Sequence, residues 1–372
     1  FQAEDGIRDR SPSRGLGDVY KRQTLLRNRV VMAPMTRSQS PGGIPTDEVV
    51  SYYERRSKAE VGLIITEGVE VSHKASSAYP NVPRLDTSAA RDGWKKVVEG
   101  IKNHNGAVIA QLWHCGGFRK AGMGPDPEVP GYTASGLVRP GKRVAHAMTS
   151  QDINETIEAF ASDAKYCEEI GFDGIEIHGA HGYLIDNFFW GGTNEREDLY
   201  GGSINSLSQL ATDIVKAIRS NVSDNFIVCL RFSQWKQQDY EAKLASSPDS
   251  LKKVIGPPTE AGLDYLHSSM RRFWESEFEG SKENLAYWTK KLTGLPTISV
   301  GSVGLDSDFI DMSAPASPTN IDMAIRDISN KKYDMVAVGR ALLADHEWVI
   351  KMQEGRVKDV IPYTQEALYK LY

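Results

Sequence analysis

Residues 171–183 read GFDGIEIHGAHGY, and the fold follows from how they are read. Gly171 ends a long helical pattern. Phe172, Ile175 and Ile177 then form an apolar series with Asp173 and Glu176 between them, as in a strand. Beyond the strand come His178, His181 and Tyr183. A helix stop, a short strand and three groups able to bind or move protons describe one unit of a parallel α/β fold. The chemistry of such a unit sits at the strand's carboxyl end.

The same unit repeats outward in both directions. Upstream, 150–170 is predicted as a helix, with Thr149 and Asp152 as its capping box and Ile153, Ile157, Phe160, Ala164 and Cys167 on one face. Candidate strands are 29–34 (RVVMAP), 61–66 (VGLIIT), 108–113 (VIAQLW), 172–178, 226–232 (FIVCLRF), 263–267 (LDYLH), 297–301 (TISVG) and 334–339 (DMVAVG). Strand and helix patterns alternating in this way predict a (β/α)8 TIM barrel. A doubly wound sheet is the alternative, and its glycine fingerprint is absent from the turn after 29–34.

At 372 residues the chain is long enough for such a barrel or for two ordinary domains. A net charge of −5 leaves no basic footprint for nucleic acid or an anionic membrane, and no apolar run is long enough to span a bilayer. Cys115, Cys167 and Cys229 are too few and too far apart for a disulfide framework or a four-thiolate iron–sulfur cluster. A reducing, cytoplasmic setting is expected. Residues 1–23 lack helical or strand periodicity and resemble a translated sequencing-library adapter. They are set aside as a non-native leader, with 24–372 taken as a single barrel domain. The native N-terminus is then expected to be missing, which leaves a targeting signal open. Oligomeric state is also left open.

Four excursions follow strands and fall on the barrel's catalytic face: 114–148, 179–202, 233–250 and 268–280. Trp235 and Tyr240, and then Arg271, Arg272, Phe273 and Trp274, suit either a pocket wall or a seal over the barrel top. Residues 194–203 read as a structural brace.

The strand ends carry a consistent set of groups. Pro34, Met35 and Thr36 follow the first strand, Glu67 and Gly68 the second, and Gln111 closes the third. Arg231 ends the fifth, Gly301 and Ser302 the seventh, Gly339 and Arg340 the eighth. A hydroxyl, an amide, a fixed cation and apolar walls suit an isoalloxazine ring. Glycine-exposed amides with an arginine after strands seven and eight suit a phosphate. Other roles stay open. Arg231 equally reads as an interior ion-pair partner of Glu67 or Glu176, Gln111 as a group satisfying nearby backbone, and Cys115 as inert packing. His178 and His181 would suit a metal-dependent hydrolase, but no matching ligand set is found at the other strand ends, and no metal is expected.

Several motifs together resemble the old yellow enzyme family of flavin-dependent ene-reductases. They are NRVVMAPMTRS at 28–38, GLIITEG at 62–68, AQLWH at 110–114, GFDGIEIHGAHGYLIDNFF at 171–189, NEREDLYGGS at 194–203, LRFS at 230–233 and VGRALLAD at 338–345. The resemblance runs from residue 25 to about 355. It implies non-covalent FMN reduced by NADH or NADPH, with a small enone or nitroalkene as oxidising substrate. By the same resemblance His178 and His181 hold the carbonyl or nitro oxygen while hydride passes from flavin N5 to the β-carbon. Tyr183 then gives the proton to the α-carbon. Thr36 is the contact to flavin O4, Gln111 to the pyrimidine edge and Arg231 to N1, while Pro34, Met35 and Gly68 lend backbone contacts. Gly301, Ser302, Gly339 and Arg340 form the phosphate cradle. The chain departs from the family at Ile204-Asn205-Ser206-Leu207, where an Asn-Arg pair is usual, and in the leading segment that usually closes the barrel floor.

Overall fold

Thr149 opens the helix that leads into the deciding strand. Its side chain accepts from the Asp152 amide while the Asp152 carboxylate accepts from the Thr149 amide, a complete capping box. The helix ends at Gly171, whose φ of 104° is open to glycine at little cost. The strand that follows, Gly174–His181, is buried nearly throughout.

The structure, a computed structural model, describes residues 26–308 and 313–372; the leader expected at 1–23 lies outside the described residues. Eight parallel strands form a closed barrel. They are β1 Val30–Met32, β2 Leu63–Glu70, β3 Ala107–Trp113, β4 Gly174–His181, β5 Ile227–Lys236, β6 Tyr265–Ser269, β7 Thr297–Val300 and β8 Met335–Val338. Each pairs with the next in chain order, and β8 returns to β1. Each strand leads to a helix: α1 Asp47–Lys58, α2 Ser88–Lys102, α3 Ser150–Ile170, α4 Gln209–Asn221, α5 Pro248–Glu260, α6 Leu285–Thr293, α7 Asp322–Ser329 and α8 Arg340–Ala344. The (β/α)8 expectation is met. A doubly wound sheet would have two free edges, and this sheet has none.

Two apolar layers hold the barrel. Inside it, Val31, Leu63, Ile65, Ile109, Ile298 and Ala337 pack together, and Leu26 and Tyr265 pack against them. Outside, helix faces cover the strands; on α2, Ala90, Trp94, Val97, Val98 and Ile101 recur at helical spacing and are all buried. Because β2, β3 and β5 are buried on both faces, their sequences read as apolar runs with little alternation.

Four strands run past their expected ends: β2 to Glu70, β4 to His181, β5 to Lys236 and β6 to Ser269. The polar residues that made 233–236 look like loop are buried and bonded. Gln234 donates to the Ala245 carbonyl, and Lys236 pairs with Asp186. The excursions after β4, β5 and β6 therefore begin as strand. Between Gly179 and His181 the β4–β5 ladder breaks register, and pairing resumes as His181 with Lys236. Such a bulge re-aims the side chains beside it.

Candidate active site

A cavity of about 410 Å³ opens at the carboxyl ends of the strands, within the range of about 300–1,000 Å³ common for ligand pockets. The first strand's exit supplies Pro34, Met35 and Thr36, β3 supplies Gln111, and β5 supplies Arg231. Gly301, Ser302, Gly339 and Arg340 line one end, and His178, His181 and Tyr183 also line the wall. Trp235 near the end of β5, Tyr240 in the loop after it and Met270 just past β6 enclose it.

Gly68 is the exception. It does not line the cavity, and a β-carbon there would run into the Trp113 ring. Its smallness serves Trp113, which does line the cavity and meets Tyr183 edge-on at 4.9 Å between centroids.

His178, His181 and Tyr183 converge as the spacing implied. The His178 ring centroid lies 5.2 Å from that of His181 and 5.1 Å from that of Tyr183. Burial, reinforced by the Arg231 charge, pushes both imidazoles well below the ordinary histidine pKa. They are neutral at physiological pH, so each ring offers one N–H and one acceptor. Burial pushes Tyr183 well above the ordinary phenol value, so it stays protonated and able to donate. His181 adopts a left-handed backbone with φ 65°, a strain of about 1–2 kcal/mol for a residue with a side chain. Its amide donates to Ser233 Oγ at 2.9 Å and its Nε2 lies 2.8 Å from Ser269 Oγ.

Arg231 donates from Nη2 to the same Ser269 Oγ at 3.2 Å, while its Nε is buried without a partner. Among the described residues it forms no ion pair with Glu67 or Glu176. Glu176 is engaged elsewhere: its Oε2 is 2.6 Å from His267 Nδ1, and its Oε1 accepts from Gln111 Nε2 at 2.7 Å. Burial works against the Glu176 charge, but His267, Arg231 and Gln111 outweigh it and hold the carboxyl below its usual pKa. This carboxylate fixes the Gln111 amide and balances the Arg231 charge from beneath the cavity.

At the other end, a β-carbon on Gly301 would lie 2.8 Å from the Met270 carbonyl oxygen, so glycine permits the loop after β6 to pack there. The Ser302 hydroxyl donates to the Arg271 carbonyl at 3.0 Å. Arg340, buried at the start of α8, donates to the Ser307 carbonyl and keeps Nη1 buried without a partner. Three buried guanidinium groups with unused donors, those of Arg37, Arg231 and Arg340, thus line one cavity, and a buried donor without an acceptor costs about 1–3 kcal/mol. FMN fits this set. Its ring would give Arg231 an acceptor near Gln111 and Thr36, and its phosphate would give Arg340 one.

Among the described residues no group of three or more His, Cys, Asp or Glu side chains is placed to hold a metal. The Cys115 thiol is buried and pushed well above its usual pKa by burial, which makes it unreactive packing. Asn194 and Arg196 brace their loop by bonding the carbonyls of Phe188, Tyr200, Ala134 and Met148. Arg272 is tied to Glu275 and Asp308, and Arg271 lies over the Tyr240 ring. Arg37, Gln237, Ser269 and Leu368 also line the cavity and were not singled out from sequence. Two serines directly after the sixth strand pattern were a usable signal for Ser269. Leu368 arrives from the far end of the chain and had none.

The match to the NADH:flavin oxidoreductase / NADH oxidase family covers residues 20–359. A flavin oxidoreductase of Emericella nidulans, hxnT, is 37% identical over 349 residues, 89% of this chain and 88% of that protein. The NADH oxidase of Thermoanaerobacter brockii is 30% identical over 90% of this chain, which spans only 50% of that longer protein. Morphinone reductase, solved in complex with tetrahydroNAD, superposes with a TM-score of 0.74 at 26% identity, covering 89% of this chain and 87% of its own. Among the described residues no helix is long and apolar enough to cross a membrane. With an FMN-shaped set of donors at the mouth of a closed (β/α)8 barrel, and a family match along nearly its whole length, this chain belongs to the NADH:flavin oxidoreductase / NADH oxidase family, the old yellow enzymes, which use FMN with a nicotinamide nucleotide as reductant.

Proposed function

We propose that the protein is an ene-reductase that saturates small alkenes activated by a carbonyl or nitro group. The carrying observation is the meeting of two neutral imidazoles and one protonated phenol in a single cavity, with ring centroids 5.1–5.2 Å apart. His178 and His181 hold the substrate's oxygen by N–H donation and draw electron density from the alkene. Neutral rings suit that task, because a charged pair so close would repel. Bound FMN would supply the hydride, taken from NADH or NADPH, for the carbon that this polarisation leaves electron-poor. Tyr183 completes the saturation by giving its hydroxyl proton to the neighbouring carbon, and its high pKa keeps that proton available across the physiological range. Trp235 stacks on His181 at 4.4 Å and excludes water from that side.

An absorbance spectrum followed by anaerobic titration tests this reading. A flavin band should bleach with NADH or NADPH and return on adding 2-cyclohexenone. Bleaching that cyclohexenone and nitroalkenes both fail to reverse, with oxygen reversing it, would replace the ene-reductase reading with an oxidase one.

A further inference from the structure

Directly behind the catalytic turn lies an ion pair from which water is wholly excluded. Lys236 Nζ is 2.7 Å from Asp186 Oδ1, and both side chains are 0% exposed. Neither residue lines the cavity. Removing two charges from water is expensive, and apolar side chains of similar size commonly serve a core as well or better. A pair kept in such a place points to control of conformation.

Its contacts say which conformation. The second carboxylate oxygen, Asp186 Oδ2, accepts the Gly182 amide at 2.6 Å. Lys236 Nζ also donates to the Ser233 carbonyl at 3.2 Å, and Ser233 Oγ in turn accepts the His181 amide at 2.9 Å. The Gln237 backbone N–H donates to the His181 carbonyl at 3.3 Å. His181 and Gly182 both have positive φ, 65° and 84°, immediately after the bulge where the β4–β5 ladder breaks. Ladder bonds alone therefore do not hold this turn. The ion pair ties the end of β5, which carries Trp235 and leads into Gln237, to the turn that presents His181 and Tyr183.

We propose that Lys236 and Asp186 are positioning residues for the oxygen-binding histidine: their pairing holds the strained His181–Gly182 turn so that the imidazole faces the cavity. The proposal rests on the reading that His181 receives the acceptor oxygen.

The test uses FMN-loaded protein and 4-chlorophenol, whose phenolate oxygen would sit where the substrate's oxygen does and give a long-wavelength charge-transfer band over oxidised flavin. Asp186→Asn should raise the phenol Kd tenfold or more, while FMN content and the FMN Kd stay within twofold of wild type. Asp186→Leu with Lys236→Met buries no unpaired charge, so its unfolding midpoint should return close to wild type while phenol binding stays at least tenfold weakened. That split separates positioning from bulk stability, and the double variant decides where the single one folds poorly. Wild-type phenol affinity in either variant overturns the proposal. His181→Ala, run alongside, should lose the band. If it keeps the band, the reading of His181 fails and the proposal falls with it.

Discussion

The Tyr183 hydroxyl lies 3.3 Å from the Tyr79 hydroxyl. Tyr79 stacks on Trp113 at 5.4 Å and is only partly buried, whereas Tyr183 is almost fully enclosed. Tyr183, the proposed proton donor, thus has the phenol of Tyr79 beside its hydroxyl. Tyr183→Phe should leave FMN bound and its reduction by nicotinamide nucleotide little changed, and slow enone reduction by about 10²-fold or more, the scale of a lost general acid. Stopped-flow measurement of the two half-reactions separately reads this. Equal slowing of both would assign Tyr183 to packing against Trp113 and Phe118.

Arg340 carries a buried Nη1 without a partner at the part of the cavity proposed for the FMN phosphate. A hydrogen bond from a charged donor is worth about 1.5–3 kcal/mol, or roughly 10- to 150-fold in affinity. Arg340→Met is therefore expected to raise the FMN Kd by at least tenfold in a fluorescence titration of the apoprotein. Riboflavin, which lacks the phosphate, should bind both forms alike. A Kd for FMN equal to that of wild type would take Arg340 out of the phosphate site.

Local chemistry made much of this legible beforehand. Thr149, Asp152 and Gly171 bound a helix by rules that act within a few residues, and the buried strands announce themselves as short apolar runs. Once eight such units are counted, strand ends become one face of the molecule, and Thr36, Gln111, Arg231 and Arg340 fall together. What sequence does not carry is contact across that face. Leu368 and Ser269 reach the cavity because the barrel closes, and Lys236 looked like loop because its partner lies 50 residues away. Nor does sequence show that the bareness of Gly68 accommodates Trp113 on the neighbouring strand.

That placement of Gly68 has a measurable consequence. Gly68→Ala would push Trp113, and with it the face against which Tyr183 rests. Overpacking of this kind costs about 1–3 kcal/mol. The variant should unfold at lower urea concentration than wild type while its FMN Kd stays within about twofold. A normal midpoint with tenfold weaker FMN would restore Gly68 as a direct flavin contact.

Glu67 is buried behind Arg37, whose amide donates to its Oε2 at 2.8 Å. Burial pushes its pKa up to about 7, against the opposing pull of the Arg37 amide and charge. In the unfolded chain a glutamate titrates near about 4.3. Between those two values the folded state binds more protons than the unfolded one, so stability falls as pH rises through the window, and the loss is complete above about pH 7. Glu67→Gln keeps an acceptor for the Arg37 amide and removes the titration. Relative to wild type, the variant should gain roughly 2–3 kcal/mol between pH 5 and pH 8, read from paired urea unfolding curves. Glu70, also pushed to about 7 by burial, is present in both proteins and cancels in the comparison. A difference between the two proteins that stays constant across the range would mean that Glu67 is ionised throughout, held so by the guanidinium of Arg37.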